Sequence, residues 1–177
     1  MDIDLFQGKY KTKSIRLKDW DYSQSAYYFV TICVKDRKCQ LASSLDGKIG
    51  LTELGEATDE CWRAIPDHFL HVSLDEFVIM PNHVHGILIF NVSAGTVETQ
   101  NLASSGGTFG PQSRNLGSVI RGFKIGVTKA AKKAHVDLAW QPRYYEHIIR
   151  NEYSLAKIRK YIKDNPGQWD MDSDFVE

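Results

Sequence analysis

Along this 177-residue chain the apolar positions change period several times, and each change marks an element. SAYYFVTICV (25–34) is β-branched and aromatic, is followed by the polar KDRKC, and reads as a first strand. SSLDGKIG then brings a cluster of turn residues. Thr52 can cap a helix in which Leu54, Ala57, Cys61 and Ala64 or Ile65 recur at helical spacing, closed by Pro66. VSLDEFVIM and HVHGILIF, separated by Pro81 and Asn82, read as two consecutive strands, and the second is apolar enough to predict a central place in its sheet. From 91 to 113 the chain turns to Gly, Ser, Thr and Asn, which bury too little apolar surface to hold one shape, so a mobile loop is expected. In NLGSVIRGFKIGVTKAAKK, Leu116, Val119, Ile120, Phe123 and Val127 form one helical stripe and leave the basic residues mostly to the other faces. RYYEHIIR reads as a fourth strand. NEYSLAKIRKYIKDN opens on a capping asparagine and meets Pro166, so a third helix is expected to end near Asn165.

The resulting order, β-α-β-β-α-β-α, predicts an α+β protein: a ferredoxin-like split βαβ arrangement whose antiparallel sheet has helices on one face, with one C-terminal helix appended. The length suits one domain, 1–177, ending in an acidic tail at 169–177. No apolar run approaches eighteen residues and no leader pattern opens the chain, so a cytoplasmic location and no membrane partner are expected. Cys33, Cys39 and Cys61 are odd in number and lack the Cys-x-x-Cys spacing, which argues against a disulfide framework or a structural zinc site.

The zero net charge conceals an asymmetry. Residues 111–168 carry twelve Lys and Arg against four Asp and Glu, a net of +8, while 1–110 and 169–177 carry −4 each. A basic block of this kind suits a polyanion such as DNA or RNA, although Lys-rich helix surfaces are also common. Candidates for backbone contacts are Arg121, Lys124, Lys129, Arg143, Lys157 and Lys160.

His83 and His85 stand one residue apart at the start of a strand, so both project to the same face, where two nitrogens can grip one metal ion. Two ordinary hydrogen-bonded histidines would give the same pattern. On the final helix Leu155, Ile158 and Ile162 define the buried stripe, and Tyr161 and Asn165 lie one turn apart along its rim. A rim tyrosine can equally be a packing residue, as can Trp140, Tyr144 and Tyr145, which otherwise offer rings for stacking on unpaired bases. Glu146 and His147 read as structural.

Four segments, MPNHVHGILIF, LGSVIRGFKIGVTK, WQPRYYEHIIRNE and IRKYIKDNP, follow one another as they do in the REP-associated tyrosine transposases, a branch of the single-tyrosine HUH-type transposases. The chain resembles that family from SIRLKDWDYSQSAYYFVTICV to NPGQW. The resemblance implies that His83 and His85 bind a divalent metal, Mg²⁺ or Mn²⁺, with Asn165 as third ligand, and that Tyr161 on the C-terminal helix is the nucleophile. It implies a metal-dependent endonuclease that cuts single-stranded DNA near hairpins, holds the 5′ phosphate as a phosphotyrosine, and rejoins ends in DNA transposition or recombination. A monomer is expected, with a homodimer as the alternative. No Gly-rich phosphate loop is present, which fits an exchange of esters without nucleotide fuel.

Two rival readings carry their own signatures. A DNA-binding module descended from a transposase would bind without cutting, yet this chain keeps both histidines, the tyrosine and the asparagine. A histidine-strand nucleotide hydrolase of the histidine-triad kind would need a third alternating histidine where Ile87 stands.

Overall fold

The computed structural model describes residues 25–45, 48–91 and 115–171. The loop expected at 91–113 lies almost wholly outside them, as does most of the acidic tail. Four strands, β1 (Ala26–Cys33), β4 (Val72–Ile79), β5 (His83–Phe90) and β6 (Tyr145–Ile149), form an antiparallel sheet in the order β4-β5-β1-β6. This is the split βαβ topology the sequence predicts, and HVHGILIF does run through the interior of the sheet.

The chain also forms elements beyond those the sequence predicts. Residues in the turn-rich stretch pair as a two-stranded hairpin, β2 (Ala42–Leu45) with β3 (Lys48–Leu51). Helix α1 (Glu53–Arg63) is capped by the Thr52 hydroxyl, which accepts from the Gly55 amide, as the sequence suggests. Pro66 does not close it. It sits in the first turn of a separate short helix, α2 (Ile65–His68), where a missing amide hydrogen costs nothing. Helices α3 (Leu116–Lys133) and α4 (Glu152–Asp164) are capped by Asn115 and Asn151. A 3₁₀ segment, Asn165–Met171, continues from α4 through Pro166.

Strand alternation divides the apolar residues between two faces. Tyr28, Val30 and Ile32 of β1, with Val84, Leu88 and Phe90 of β5, pack against α1 and α3 in the larger core. Phe29, Ile87 and Ile149 point the other way and meet Leu155 and Ile162 of α4 in a smaller cluster. The appended helix, the one α-helix on this side among the described residues, therefore lies on the opposite face. A register shift in β4 between Leu74 and Phe77 re-aims Asp75 and Glu76 toward it. There the Arg159 guanidinium donates to Asp75 (Nε to Oδ1, 2.9 Å) and Lys163 pairs with Glu76 at 2.8 Å. Among the described residues no helix is long and apolar enough to cross a membrane.

Candidate active site

β5 opens on His83 after the Met80-Pro81-Asn82 turn, and the pleat puts His83 and His85 on the face covered by α4. Their ring centroids are 4.3 Å apart and both rings are buried. Each ring is held from behind by one nitrogen. His85 Nδ1 is 2.9 Å from the Thr31 hydroxyl, which the β1–β5 register sets directly opposite. His83 Nδ1 is 2.8 Å from Asn82 Oδ1. Phe29 stacks on the His85 ring at 5.4 Å. This is how ligating histidines are usually oriented, with one nitrogen fixed by a neighbour and the other turned to the site. Burial, reinforced by His85 and Arg37, drives the His83 pKa down to about 2, so this imidazole is neutral and keeps a lone pair at physiological pH.

Tyr161 meets this pair. Its Oη lies 3.1 Å from His85 Nε2, its ring stands edge-on to Phe29 at 6.1 Å, and the residue is 44% exposed. With Nδ1 engaged by Thr31, Nε2 is the His85 nitrogen that can serve either the phenol or a metal ion, one at a time. Asn165 follows one turn later as the C-cap of α4 and is 4% exposed, with Oδ1 buried. Four residues further on, the Trp169 ring is 6.0 Å from that of His83. The segment 161–169 thus touches both imidazoles, Tyr161 at His85 and Trp169 at His83, and Asn165 lies between these two contacts in sequence. Among the described residues no group of three or more His, Cys, Asp or Glu side chains is placed to hold a metal ion. The two imidazoles stand together, and an imidazole pair joined by a carboxamide is a donor set that would suit an ion of the Mg²⁺ or Mn²⁺ class with coordination positions left open.

A cavity of about 520 Å³ opens beside Tyr161 and His85, walled by Phe29, Thr31, Arg37, Arg143, Tyr144 and Tyr145 among others. A second, of about 590 Å³, runs along α3 and is lined by Arg121, Lys124, Lys129, Lys132, Arg143 and Tyr144. Arg143 and Tyr144 belong to both. Four of the six cations singled out in the sequence therefore share one groove that meets the cavity beside Tyr161 at Arg143 and Tyr144. Within it Lys124 is half buried, and burial lowers its pKa; its ammonium donates to the carbonyls of Gln141 (3.0 Å) and Arg143 (2.8 Å), bracing a turn in which Arg143 takes the left-handed φ of 71°. Lys157 and Lys160 lie elsewhere, on α4: Lys157 sits over the Tyr153 ring at 4.5 Å and Lys160 pairs with Asp164. Trp140 and Tyr144 pack partly against the larger core, whereas Tyr145 is 53% exposed at the cavity wall. Glu146 and His147 do not line either cavity.

Thr31, Asn82, Phe29 and Arg37 were not singled out from the sequence. Asn82 carried a signal in its place directly before His83. The others depend on pairings across 45 to 56 residues of chain that no local pattern announces.

No protein-family model matches this chain. An uncharacterized protein of Haemophilus influenzae is 39% identical over 173 residues, which cover 96% of each chain. Among solved structures, the REP-associated tyrosine transposase bound to a REP hairpin superposes with a TM-score of 0.60, covering 88% of this chain and 73% of that one at 20% identity. The chain belongs to one family with the Haemophilus influenzae protein, and it has the fold of the REP-associated tyrosine transposase.

Proposed function

We propose that this protein is a metal-dependent tyrosine transposase that cuts and rejoins single-stranded DNA beside hairpins. The observation that carries this reading is the approach of the Tyr161 hydroxyl to within 3.1 Å of His85, 76 residues away in sequence and beside His83. A packing tyrosine has no need of that encounter.

In this reading His83, His85 and Asn165 hold the divalent ion, which when bound polarises a non-bridging phosphate oxygen and offsets the charge of the transition state. The three ligands are all neutral, so the protein alone binds the ion weakly, and the anionic phosphate supplies the missing charge. His85 Nε2 faces the Tyr161 hydroxyl, so an ion held at that nitrogen would leave the phenol free of it. The freed Tyr161 oxygen, still facing the cavity, attacks phosphorus. Its proton leaves to solvent, the bond to the 3′ oxygen breaks, and that oxygen takes up a proton as the departing strand's hydroxyl. A 5′-phosphotyrosine remains, and a second 3′ hydroxyl can reverse the step. The α3 groove supports a path for the strand: its cations match phosphates, and it meets the catalytic cavity at Arg143 and Tyr144. The named complex with a hairpin supports the same substrate class.

The test is incubation with a hairpin-flanked, 5′-labelled or 3′-labelled single strand and Mn²⁺ or Mg²⁺. Strand cutting with covalent capture of the 5′-phosphate side is expected, abolished by EDTA and in Tyr161→Phe. Capture undiminished in Tyr161→Phe refutes the assignment of the nucleophile. Tight binding with no cutting in any divalent ion refutes the enzyme.

A further inference from the structure

Asn82 is fully buried in the turn that leads into β5 and takes part in no strand pairing. Its side-chain amide bridges two groups of fixed character. On one side Nδ2 donates to the Arg37 carbonyl at 3.1 Å; on the other Oδ1 is 2.8 Å from His83 Nδ1. A backbone carbonyl only accepts, so the end of the amide facing Arg37 has to be its NH₂. The end facing His83 is then the oxygen, which also only accepts. The hydrogen between Asn82 and His83 therefore belongs to the imidazole, on Nδ1, and the lone pair of the neutral ring falls on Nε2.

The turn that presents the Arg37 carbonyl is costly to build. Asp36 and Arg37 both have φ of 55°, a left-handed conformation that residues with a Cβ seldom adopt and that costs about 1 kcal/mol or more at each position. The surrounding backbone enforces it: the Val34 amide donates to Asn82 O at 2.8 Å, the Lys35 amide to Ala139 O at 2.8 Å, and the Leu41 amide to Pro81 O at 2.9 Å. Segments 34–41 and 80–82 are thus locked together, with Asn82 at the junction.

We propose that Asn82 is a positioning residue which, read through the Arg37 carbonyl, fixes the tautomer and orientation of His83 so that Nε2 presents its lone pair to the metal. This rests on the reading of His83 as a ligand. Its core, the tautomer, does not need a metal to be tested. In ¹⁵N-labelled full-length protein without added metal, imidazole shifts are expected to show His83 protonated on Nδ1. Asn82→Leu, which removes the acceptor, is expected to populate the Nε2–H form. Asn82→Asp, which keeps an acceptor beside Nδ1, is expected to hold the wild-type tautomer and to remain informative if the leucine variant does not fold. Mn²⁺ titration followed by electron paramagnetic resonance gives the second readout: about 10- to 100-fold weaker binding in Asn82→Leu, as removal of a ligand's outer partner generally produces, and a much smaller change in Asn82→Asp. A wild-type His83 protonated on Nε2, or a folded Asn82→Leu that keeps both the Nδ1–H tautomer and wild-type Mn²⁺ affinity, overturns the proposal. Wild-type protein that retains no Mn²⁺ even with single-stranded DNA present sinks the metal centre instead, and the tautomer measurement still decides the role of Asn82.

Discussion

Truncating Ile162 to alanine isolates the apolar anchor that sets Tyr161 against the histidines. Helix α4 reaches the sheet through Leu155, Ile158 and Ile162, packed on Phe29, Ile87 and Ile149, and Ile162 is 1% exposed directly beside the proposed nucleophile. Removing three carbons forfeits about 2.4 kcal/mol at ~0.8 kcal/mol per buried CH₂. A cavity that the helix closes only in part raises the loss to about 3–4 kcal/mol. The two links from α4 to β4, Arg159 with Asp75 and Lys163 with Glu76, are partly solvated and worth at most about 1 kcal/mol each, so they do not compensate. The matched control is Val127→Ala, which deletes two carbons from the larger core on the opposite face at a cost of about 2 kcal/mol. Urea unfolding by circular dichroism gives both losses, hydrogen exchange reports opening of the 152–164 amides, and covalent capture of a labelled strand reports the site. At a temperature where both variants are folded, Ile162→Ala is expected to speed exchange in α4 ahead of β1 and to slow capture, while Val127→Ala leaves capture near the wild-type rate. Equal slowing by the two variants, or wild-type exchange and capture in Ile162→Ala, would refute the idea that this small cluster governs the tyrosine.

A methyl group on Gly86 would fall inside the Trp62 indole, so Gly86→Val should destabilise the protein by more than about 2 kcal/mol, measured by urea denaturation, because the obstacle is a packed ring. The Arg159 guanidinium holds the Asp75 carboxyl below its ordinary value, so the stability it lends is fully present above about pH 4 and is lost as pH falls through the depressed value. Urea midpoints of wild type and Asp75→Asn should accordingly differ at pH 7 by up to about 1 kcal/mol and converge toward pH 2; a gap that widens in acid contradicts the pairing. Arg121→Ala and Lys129→Ala should each weaken single-stranded DNA binding and reduce the magnitude of the salt slope by about 0.7, as expected for loss of one phosphate contact, in anisotropy titrations at several ionic strengths. Lys160→Ala, whose ammonium is paired with Asp164, should leave the slope unchanged.

Strong periodicity made most of the fold legible. Leu116 to Val127 and Leu155 to Ile162 announced their helices, and the cap residues Thr52 and Asn151 marked two of the starts. The β2–β3 hairpin escaped because its strands are four residues each and rich in Ser and Gly, too short for alternation to register, although an Asp-Gly dipeptide at 46–47 is a known hairpin signal. Pro66 was misleading because proline is as welcome at a helix start as it is unwelcome in a helix interior. At the candidate site the shared face of His83 and His85 followed from strand geometry and the rim positions of Tyr161 and Asn165 from helical spacing, while only the family resemblance set the tyrosine and asparagine beside the histidines. Their supports did not follow. Thr31 reaches His85 only through the β1–β5 register, and the Arg37 carbonyl reaches Asn82 only through a left-handed backbone that nothing in the letters Asp-Arg suggests.

Gly86 lies between His85 and the run toward Ile87, its bare Cα pressed against Trp62 on the far side of the sheet. The histidines and the indole are thus back to back across a single thickness of peptide, so the spacing of the two rings is no more rigid than the hydrophobic wall behind it. Substitutions at position 62, across the sheet from the histidines, should therefore alter the rate of covalent strand capture as much as folding. Lineages that alter that wall would have to do so in concert with the strand it supports.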